Sequence, residues 1–326
     1  MSYIIGFGGA TVDLHLKSRG PARLHDSNPA AAVSSCGGVM RNILENLQHL
    51  GQNCVFLSAV GQDGFAEDLI RSCQACGMNA AHLFRSGEYT TPLYFSFLDS
   101  SGDMLIAANA MELMENIPGE YLYEKADLIT GADAAVIDAN PSAERIAQFT
   151  ALCGENIPVF ADPVSVAKGE RFRDILKNLY LIKPNEYELE ILSGMDCRTD
   201  GVFSELKIEK AAKKILETGC HCVAVSLGAR GCFYADRKGS SFFSRIAPDH
   251  EMINATGAGD AFMAGLISGY MDRLPADEMV RRALACGKLA VRCADTINQD
   301  LSVSAADRLL TEEALFRSRQ KTKNST

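Results

Sequence analysis

No apolar run in this 326-residue chain approaches the roughly 18 residues that a bilayer-spanning helix needs, so no transmembrane helix is expected. The opening stretch, MSYIIGFGGATVDLHL, has no basic start and is broken by glycines where a secretory leader would be greasy, so the expected location is cytoplasmic. Basic charge is also short. Lys and Arg number 32 against 41 Asp and Glu, for a formal net charge of -9 and a pI near 5.3. That balance gives no general grip on nucleic acid phosphates or anionic lipid, so neither nucleic acid nor membrane is an expected partner, and an anionic ligand would need a local site. Low-complexity sequence is confined to the polar end, residues 319–326, read as a frayed tail behind one domain of residues 1–318.

Two familiar nucleotide motifs are missing as well. The Walker A pattern G-x-x-x-x-G-K-[ST] occurs nowhere. A dinucleotide fingerprint would follow the first strand, but GFGGATVD offers Gly6, Gly8 and Gly9 and then Thr11 where the third glycine belongs. Cysteine, by contrast, is plentiful, with 11 residues scattered through apolar segments such as NCVFLSAV and GCHCVAVSL. That placement suits small buried hydrophobes better than a disulfide framework. Cys73 and Cys76 have C-x-x-C spacing, yet no His or Cys partner follows at ligand distance, so packing on the helix AEDLIRSCQACG is the better reading than zinc or redox chemistry.

What is present is a rhythm. Short β-branched runs (YIIGFGGA, CVFLSAVG, AAVIDAN, PVFADPV, LYLIKPN, CVAVSLGA) alternate with helix-period stretches at 38–50, 66–76, 185–192, 204–218 and 257–270. This predicts an α/β fold, with a mostly parallel sheet covered by helices on both faces and right-handed crossovers. Two regions break the rhythm. Residues 11–35 have little helical period, and residues 89–110 read as two alternating strands around an S-S-G-D turn; together they predict a small β-sheet, a lid over the carboxyl ends of the strands. Its exposed strand edges suggest a covering partner, and a homodimer is expected.

The sharpest local signal is MINATGAGDAFMAGLISG, residues 252–269, where tandem glycines and one acid precede an apolar helix. The unpaired N–H groups of Gly257, Ala258 and Gly259 would form a cradle for an anion at the helix start. Asp260, one step inside, can take the proton of an attacking hydroxyl while those amides receive charge developing on a transferring phosphoryl group. A plainer reading stays open, in which Asp260 complements the helix dipole and the glycines make a tight turn.

NATGAGDAFMAG resembles the second signature of the ribokinase-like (PfkB-type) carbohydrate and nucleoside kinases, and CGGVMRNILENLQHLG followed by LSAVGQDGFAEDLI resembles the first. The two lie more than 200 residues apart in the family's order, and the similarity runs from about Ile4 to Ser304. The resemblance implies a three-layer αβα sandwich with a β lid, ATP and Mg2+ as cofactors, and a nucleoside or sugar substrate. GGVMRNILENLQHLG, FLDSSGDMLIAANAM and VFADPVS point within the family to the branch that phosphorylates the 5′-hydroxyl of pseudouridine. Ribose or another nucleoside is the alternative substrate, and a sensor that binds a nucleoside without reacting is the alternative of another class.

Carried over position by position, the resemblance makes Asp260 the general base and Gly257, Ala258 and Gly259 the anion hole. Asp13, Gly37, Gly38 and Asn42 would hold the sugar hydroxyls. Arg41 would reach the base or phosphate, or else be a solvated helix residue. In KPNEYELE, Asn185 and Glu188 stand in the family's N-x-x-E arrangement, implying water-mediated Mg2+; a helix cap followed by a surface Glu is the other reading. Ser226, Gly228 and Thr256 fall on the nucleotide side, although S-x-G-x-x-G is also what a hairpin turn looks like. Asp162 ranks below the N-x-x-E pair, and the adenine is expected near Cys286, Gly287 and Asn298. Members that bind potassium commonly carry Asp where Asn254 stands, so a K+ requirement is left open.

Overall fold

The computed structural model describes residues 2–247 and 251–323, with side chains up to Leu315. In chain order the strands are β1 (Ile4–Phe7), β2 (Thr11–Ser18), β3 (Ala30–Gly37), β4 (Cys54–Leu57), β5 (Ala59–Val60), β6 (Phe84–Arg85), β7 (Leu93–Leu98), β8 (Met104–Ala110), β9 (Ala134–Asp138), β10 (Val159–Asp162), β11 (Leu181–Ile182), β12 (Arg198–Thr199), β13 (Val202–Phe203), β14 (Cys222–Ser226), β15 (Cys232–Asp236) and β16 (Ser241–Ser244). The helices are α1 (Val39–His49), α2 (Gly64–Ala75), α3 (Glu112–Glu115), α4 (Gly119–Glu124), α5 (Ala126–Thr130), α6 (Ala143–Cys153), α7 (Val166–Gly169), α8 (Glu186–Ser193), α9 (Glu205–Glu217), α10 (Ala258–Met271), α11 (Ala276–Val291) and α12 (Val303–Lys323).

Eight strands form the central sheet in the order β16-β15-β14-β11-β10-β9-β1-β4. From β4 to β14 every pairing is parallel; β15 and β16 close the far edge antiparallel. The parallel strands are buried on both sides, which is why they read as unbroken apolar runs. Alternation decides which layer each residue joins. Ile4, Val136, Phe160 and Ala224 pack under α1, α2, α10, α11 and α12, whereas Ile5, Phe7, Ile137 and Val225 pack under α3 to α6, α8 and α9. Each fully buried Phe or Ile on these faces contributes about 1.5–3 kcal/mol relative to exposure. The expected three-layer α/β sandwich is therefore what the chain adopts.

Residues 11–37 and 93–110 form a separate four-stranded sheet in the order β3-β2-β7-β8. Its inner pair is parallel, with Val12 opposite Leu93 and Leu16 opposite Phe97, and its outer pairs are antiparallel. At the other end of the chain α12 continues helical through Lys323, so the backbone of residues 319–323 is helix where polar composition reads as a tail. Residues 324–326 lie outside the described part. Good helix formers in SAADRLLTEEALFRSRQ carry the helix past the core contacts of Leu309 and Leu310.

β1 is flanked by β4 on one side and β9 on the other. The chain leaves β1 in one direction and later continues from its opposite side, which opens a crevice above the carboxyl ends of β1 and β9. The loops after β1, β9, β10 and β11 all end there.

Candidate active site

Two helices begin at that crevice. The amino end of α1 is tied to β9 by Asp138, whose carboxylate accepts from the backbone N–H of Gly9 at 2.9 Å and of Met40 at 3.0 Å. Gly38, the residue before α1, has φ 100, and a side chain on it would fall 2.4 Å from the Gly9 carbonyl oxygen, so only glycine lets the helix start this close to the β1 loop. The other helix is α10. Its N-cap, Gly257, has φ 80, and a Cβ there would sit 2.1 Å from the Thr296 carbonyl oxygen. These local demands explain the glycines at both helix starts.

Asp260 lies in the first turn of α10, and its Oδ2 accepts from Asn42 Nδ2 of α1 at 2.9 Å. Two residues 218 positions apart thus meet across the start of two helices. Burial pushes the Asp260 carboxyl up to about 7, with Asp162 and Asp138 adding to the rise and Asn42 and Lys183 opposing it. A carboxylate with that pKa is matched to accept a proton near neutral pH.

Around Asp260 the strand ends supply further charges. Lys183, directly after β11, makes an ion pair with Asp162 at the end of β10, Nζ to Oδ2 3.1 Å. Asp138, Asp162, Lys183 and Glu188 are each at most 5% exposed. Burial alone would lower the Lys183 pKa, but Asp162, Glu188 and Asp260 together outweigh it and hold the ammonium above its ordinary value. Three carboxyl groups thus act on one lysine. Burial raises Asp138 and Glu188, and nearby Asp162 raises both further. Such an excess of enclosed negative charge is relieved by a cation.

Asn185 and Glu188 form a reciprocal capping box at the start of α8: Asn185 Oδ1 accepts from the Glu188 N–H at 2.9 Å and Glu188 Oε2 from the Asn185 N–H at 2.8 Å. Glu188 is buried, not a surface residue, and Oε1 is its remaining oxygen. Ser226, at the end of β14, pairs with Asn185 and donates its N–H to the Pro184 carbonyl at 2.9 Å. Gly228 follows in a short 3₁₀ turn of an antiparallel β14–β15 hairpin, with open space where a side chain would be. Thr256 is exposed before α10, its N–H bonded to Asn254 Oδ1 at 3.0 Å, while Asn254 Nδ2 donates to the Ala294 carbonyl at 3.0 Å.

On the other side, Asp13 of β2 accepts from Thr11 Oγ1 at 2.9 Å, and burial raises its pKa. Gly37 abuts it, since a Cβ at 37 would come within 2.3 Å of Asp13 Oδ2. The fold therefore brings Asp13, Gly37, Gly38, Asn42 and Asp260 to one side of the crevice, and Asn185, Glu188 and Ser226 to the other.

Two expectations need correction. Arg41 is neither solvated nor free to reach a ligand: 3% exposed, it pairs with Glu45 at 2.5 Å, donates to Ser72 Oγ at 2.7 Å and to the Cys36 carbonyl at 3.0 Å. Its helix face packs against α2 and β3 because almost every residue of α1 is buried. Cys286 is fully buried in α11 and cannot line an adenine pocket. The C-x-x-C pair behaves as packing: Cys73 is buried in α2 and Cys76 Sγ bonds its carbonyl at 3.1 Å. Among the described residues no helix is long and apolar enough to cross a membrane.

Sequence reasoning missed Asp138, Asn140, Lys168 and Lys183. Asn140 Nδ2 donates to Asp138 at 2.9 Å and Asn140 Oδ1 accepts from Lys168 Nζ at 2.7 Å, so this chain of polar groups extends the site past β9. The available signal was an acid or lysine at, or one step past, the carboxyl end of β9, β10 and β11, as in AVID, VFAD and YLIK.

The chain belongs to the pfkB family of carbohydrate kinases, whose model matches residues 1–302. It is thus an ATP-dependent sugar or nucleoside kinase. It is 37% identical over 303 residues to the pseudouridine kinase of Escherichia coli (strain K12), covering 93% of this chain and 94% of that one. Among solved structures it superposes on a carbohydrate kinase from Agrobacterium tumefaciens with a TM-score of 0.84 (22% identity, 95% and 97% of the two chains) and on Arabidopsis thaliana ribokinase complexed with ribose and ATP with a TM-score of 0.83 (20% identity, 95% and 99%). At those identities the two structures establish the ribokinase-like fold.

Proposed function

We propose that this kinase transfers the γ-phosphoryl group of ATP to the 5′-hydroxyl of pseudouridine. The observation that carries the mechanism is the Asn42–Asp260 contact, a carboxylate raised to about 7 and aimed by an amide at the start of two helices. The relative at 37% identity carries the substrate. Asp13, Gly37, Gly38 and Asn42 hold the ribosyl hydroxyls and turn the 5′ oxygen towards Asp260. The Asp260 carboxylate takes the hydroxyl proton as the oxygen bonds to the γ-phosphorus, and the bond to the bridging oxygen breaks to leave ADP. The N–H groups of Gly257, Ala258 and Gly259 receive the charge that builds on the transferring group. Ser226, Gly228 and Thr256 line the nucleotide side.

The donor set fits Mg2+. It consists of carboxylate oxygens in an over-negative enclosure, and among the described residues no cluster of three or more candidate ligands forms a dedicated cage, as suits an ion bound through one or two carboxylates and phosphates. Glu188 and Asp162 would hold it, with Asn185 orienting Glu188 through the capping box. Bound there it would neutralise phosphate charge. Asn254 is a neutral side chain already engaged on both ends, so equal rates in K+ and Na+ are the expected outcome.

The test is ADP release from ATP and Mg2+ with pseudouridine, uridine, ribose and adenosine offered separately. Selective turnover of pseudouridine supports the full reading. Turnover of another substrate keeps the chemistry and replaces the substrate; no turnover with any of the four overturns the substrate assignment and favours a nucleoside sensor.

A further inference from the structure

The crevice is not the only concavity. A cavity of about 600 Å³ lies at the opposite, amino-terminal end of the central sheet. It is floored by Tyr180, just before β11, and Cys222, the first residue of β14, and walled by the last turns of α10 and the β15–β16 turn. That volume is in the range of small-molecule sites.

Its chemistry has two parts. One is aromatic: Tyr180 and Tyr270 have ring centroids 4.7 Å apart with 57° between planes, and His221 stacks on Tyr180 at 5.9 Å with only 22° between planes. His221 is exposed at this edge, so one ring surface stays available to a further planar group. The other part is charged, and unevenly engaged. Asp236 accepts the N–H groups of Lys238 and Ser240, each at 2.9 Å, as well as the Tyr234 hydroxyl at 3.3 Å; Asp133 accepts Ser2 Oγ and the Tyr3 N–H, each at 2.8 Å. These two acids are outnumbered by the three lining cations Arg237, Lys238 and Arg273. Lys238 and Arg273 are exposed and form no ion pair among the described residues, although both line the cavity. A planar ring system with an attached anionic group satisfies both parts at once, the ring against His221 and Tyr180 and the anion between two free cations.

We infer that this cavity is a second ligand site, distinct from the catalytic crevice, that takes a nucleoside monophosphate. The inference does not depend on which hydroxyl the kinase phosphorylates. Rigid elements connect the site to the crevice. Tyr180 is separated from Lys183 only by the two residues of β11, and Tyr270 lies ten residues along α10 from Asp260, about 15 Å of continuous helix. Occupancy that shifts Tyr180 or Tyr270 is therefore felt at the charges around Asp260, and by linkage the two sites affect each other's affinity.

The probe is uridine 5′-monophosphate in a calorimetric titration, with a non-hydrolysable ATP analogue present throughout so that the nucleotide side of the crevice is filled. The parent, a K238E/R273E variant and an N42A variant are compared after thermal melts verify that each is folded. The expected result is one site per chain, affinity at least tenfold weaker in K238E/R273E, little change in N42A, and at least tenfold weaker binding of uridine, which lacks the phosphate. Absence of binding to the parent overturns the proposal, and so does binding that survives K238E/R273E but disappears in N42A, because that places the ligand in the crevice. If K238E/R273E fails to fold, H221A takes its place, and unchanged affinity in H221A overturns the proposal equally.

Discussion

Asp260 carries the most specific expectation at the scale of a single residue. Its carboxyl is held near 7, so it is neutral below that pH and ionised above it. Turnover should rise with pH to a plateau above about 7, and the rising limb should vanish in D260N, whose rate falls about 10²- to 10⁴-fold. A D260N enzyme within tenfold of the parent at pH 8 would remove Asp260 from the role of base. Stability should move the opposite way. The folded pKa lies above the unfolded one, so the native state binds the extra proton between about pH 4 and 7 and loses stability as pH rises through that window. D260N escapes that loss and should be more stable than the parent to denaturant at pH 8, by about 4 kcal/mol, with the difference disappearing below pH 4. Arg41 is the contrasting residue: R41A leaves buried Glu45 without its guanidinium, with only His49 at 4.0 Å and Gln299 at 3.4 Å beside it, and should cost about 3 kcal/mol in denaturant unfolding.

For elements, the starts of α1 and α10 matter more than their lengths. G257A must put a methyl against the Thr296 carbonyl and adopt φ 80 at about 1–3 kcal/mol of strain. Displacing the cradle by an ångström should lower kcat by about 10²-fold with a smaller change in KM for the acceptor, a split that steady-state kinetics would read. These helix starts were legible in the sequence because their logic is local: TGAGD and CGG declare tight approach within a few residues. Lys183 and Asp138 were not, because only the order of β9, β10 and β11 in the sheet sets their charges near Asp260. Arg41 misled for a related reason. A polar residue on a helix reads as a solvated face unless one knows that α1 is covered by α2, α10 and the sheet together.

For the whole molecule, β8 leaves an open strand edge, and Met104, Leu105, Ile106 and Val33 are each more than half exposed on the small sheet. Apolar side chains at a free edge favour pairing with a second copy. A dimer by light scattering is the expected state, and M104E/I106E should give a monomer of unchanged fold; a parent that is monomeric at micromolar concentration would refute the reading.

The same small sheet has a consequence for how the protein is made. Its parallel seam joins residues 12–17 to residues 93–98, so a ribosome must release the first hundred residues before β2 finds β7. Until then Asp13 sits on the β2–β3 hairpin alone, and β4, α1 and α2 can assemble around β1 without the rest of the small sheet. Long-range pairing of this kind is slow compared with local helix formation. Refolding followed by pulsed hydrogen exchange should therefore protect the amides of β1, β4 and α1 before those that join β2 to β7, so that the wall carrying Asp13 is completed late.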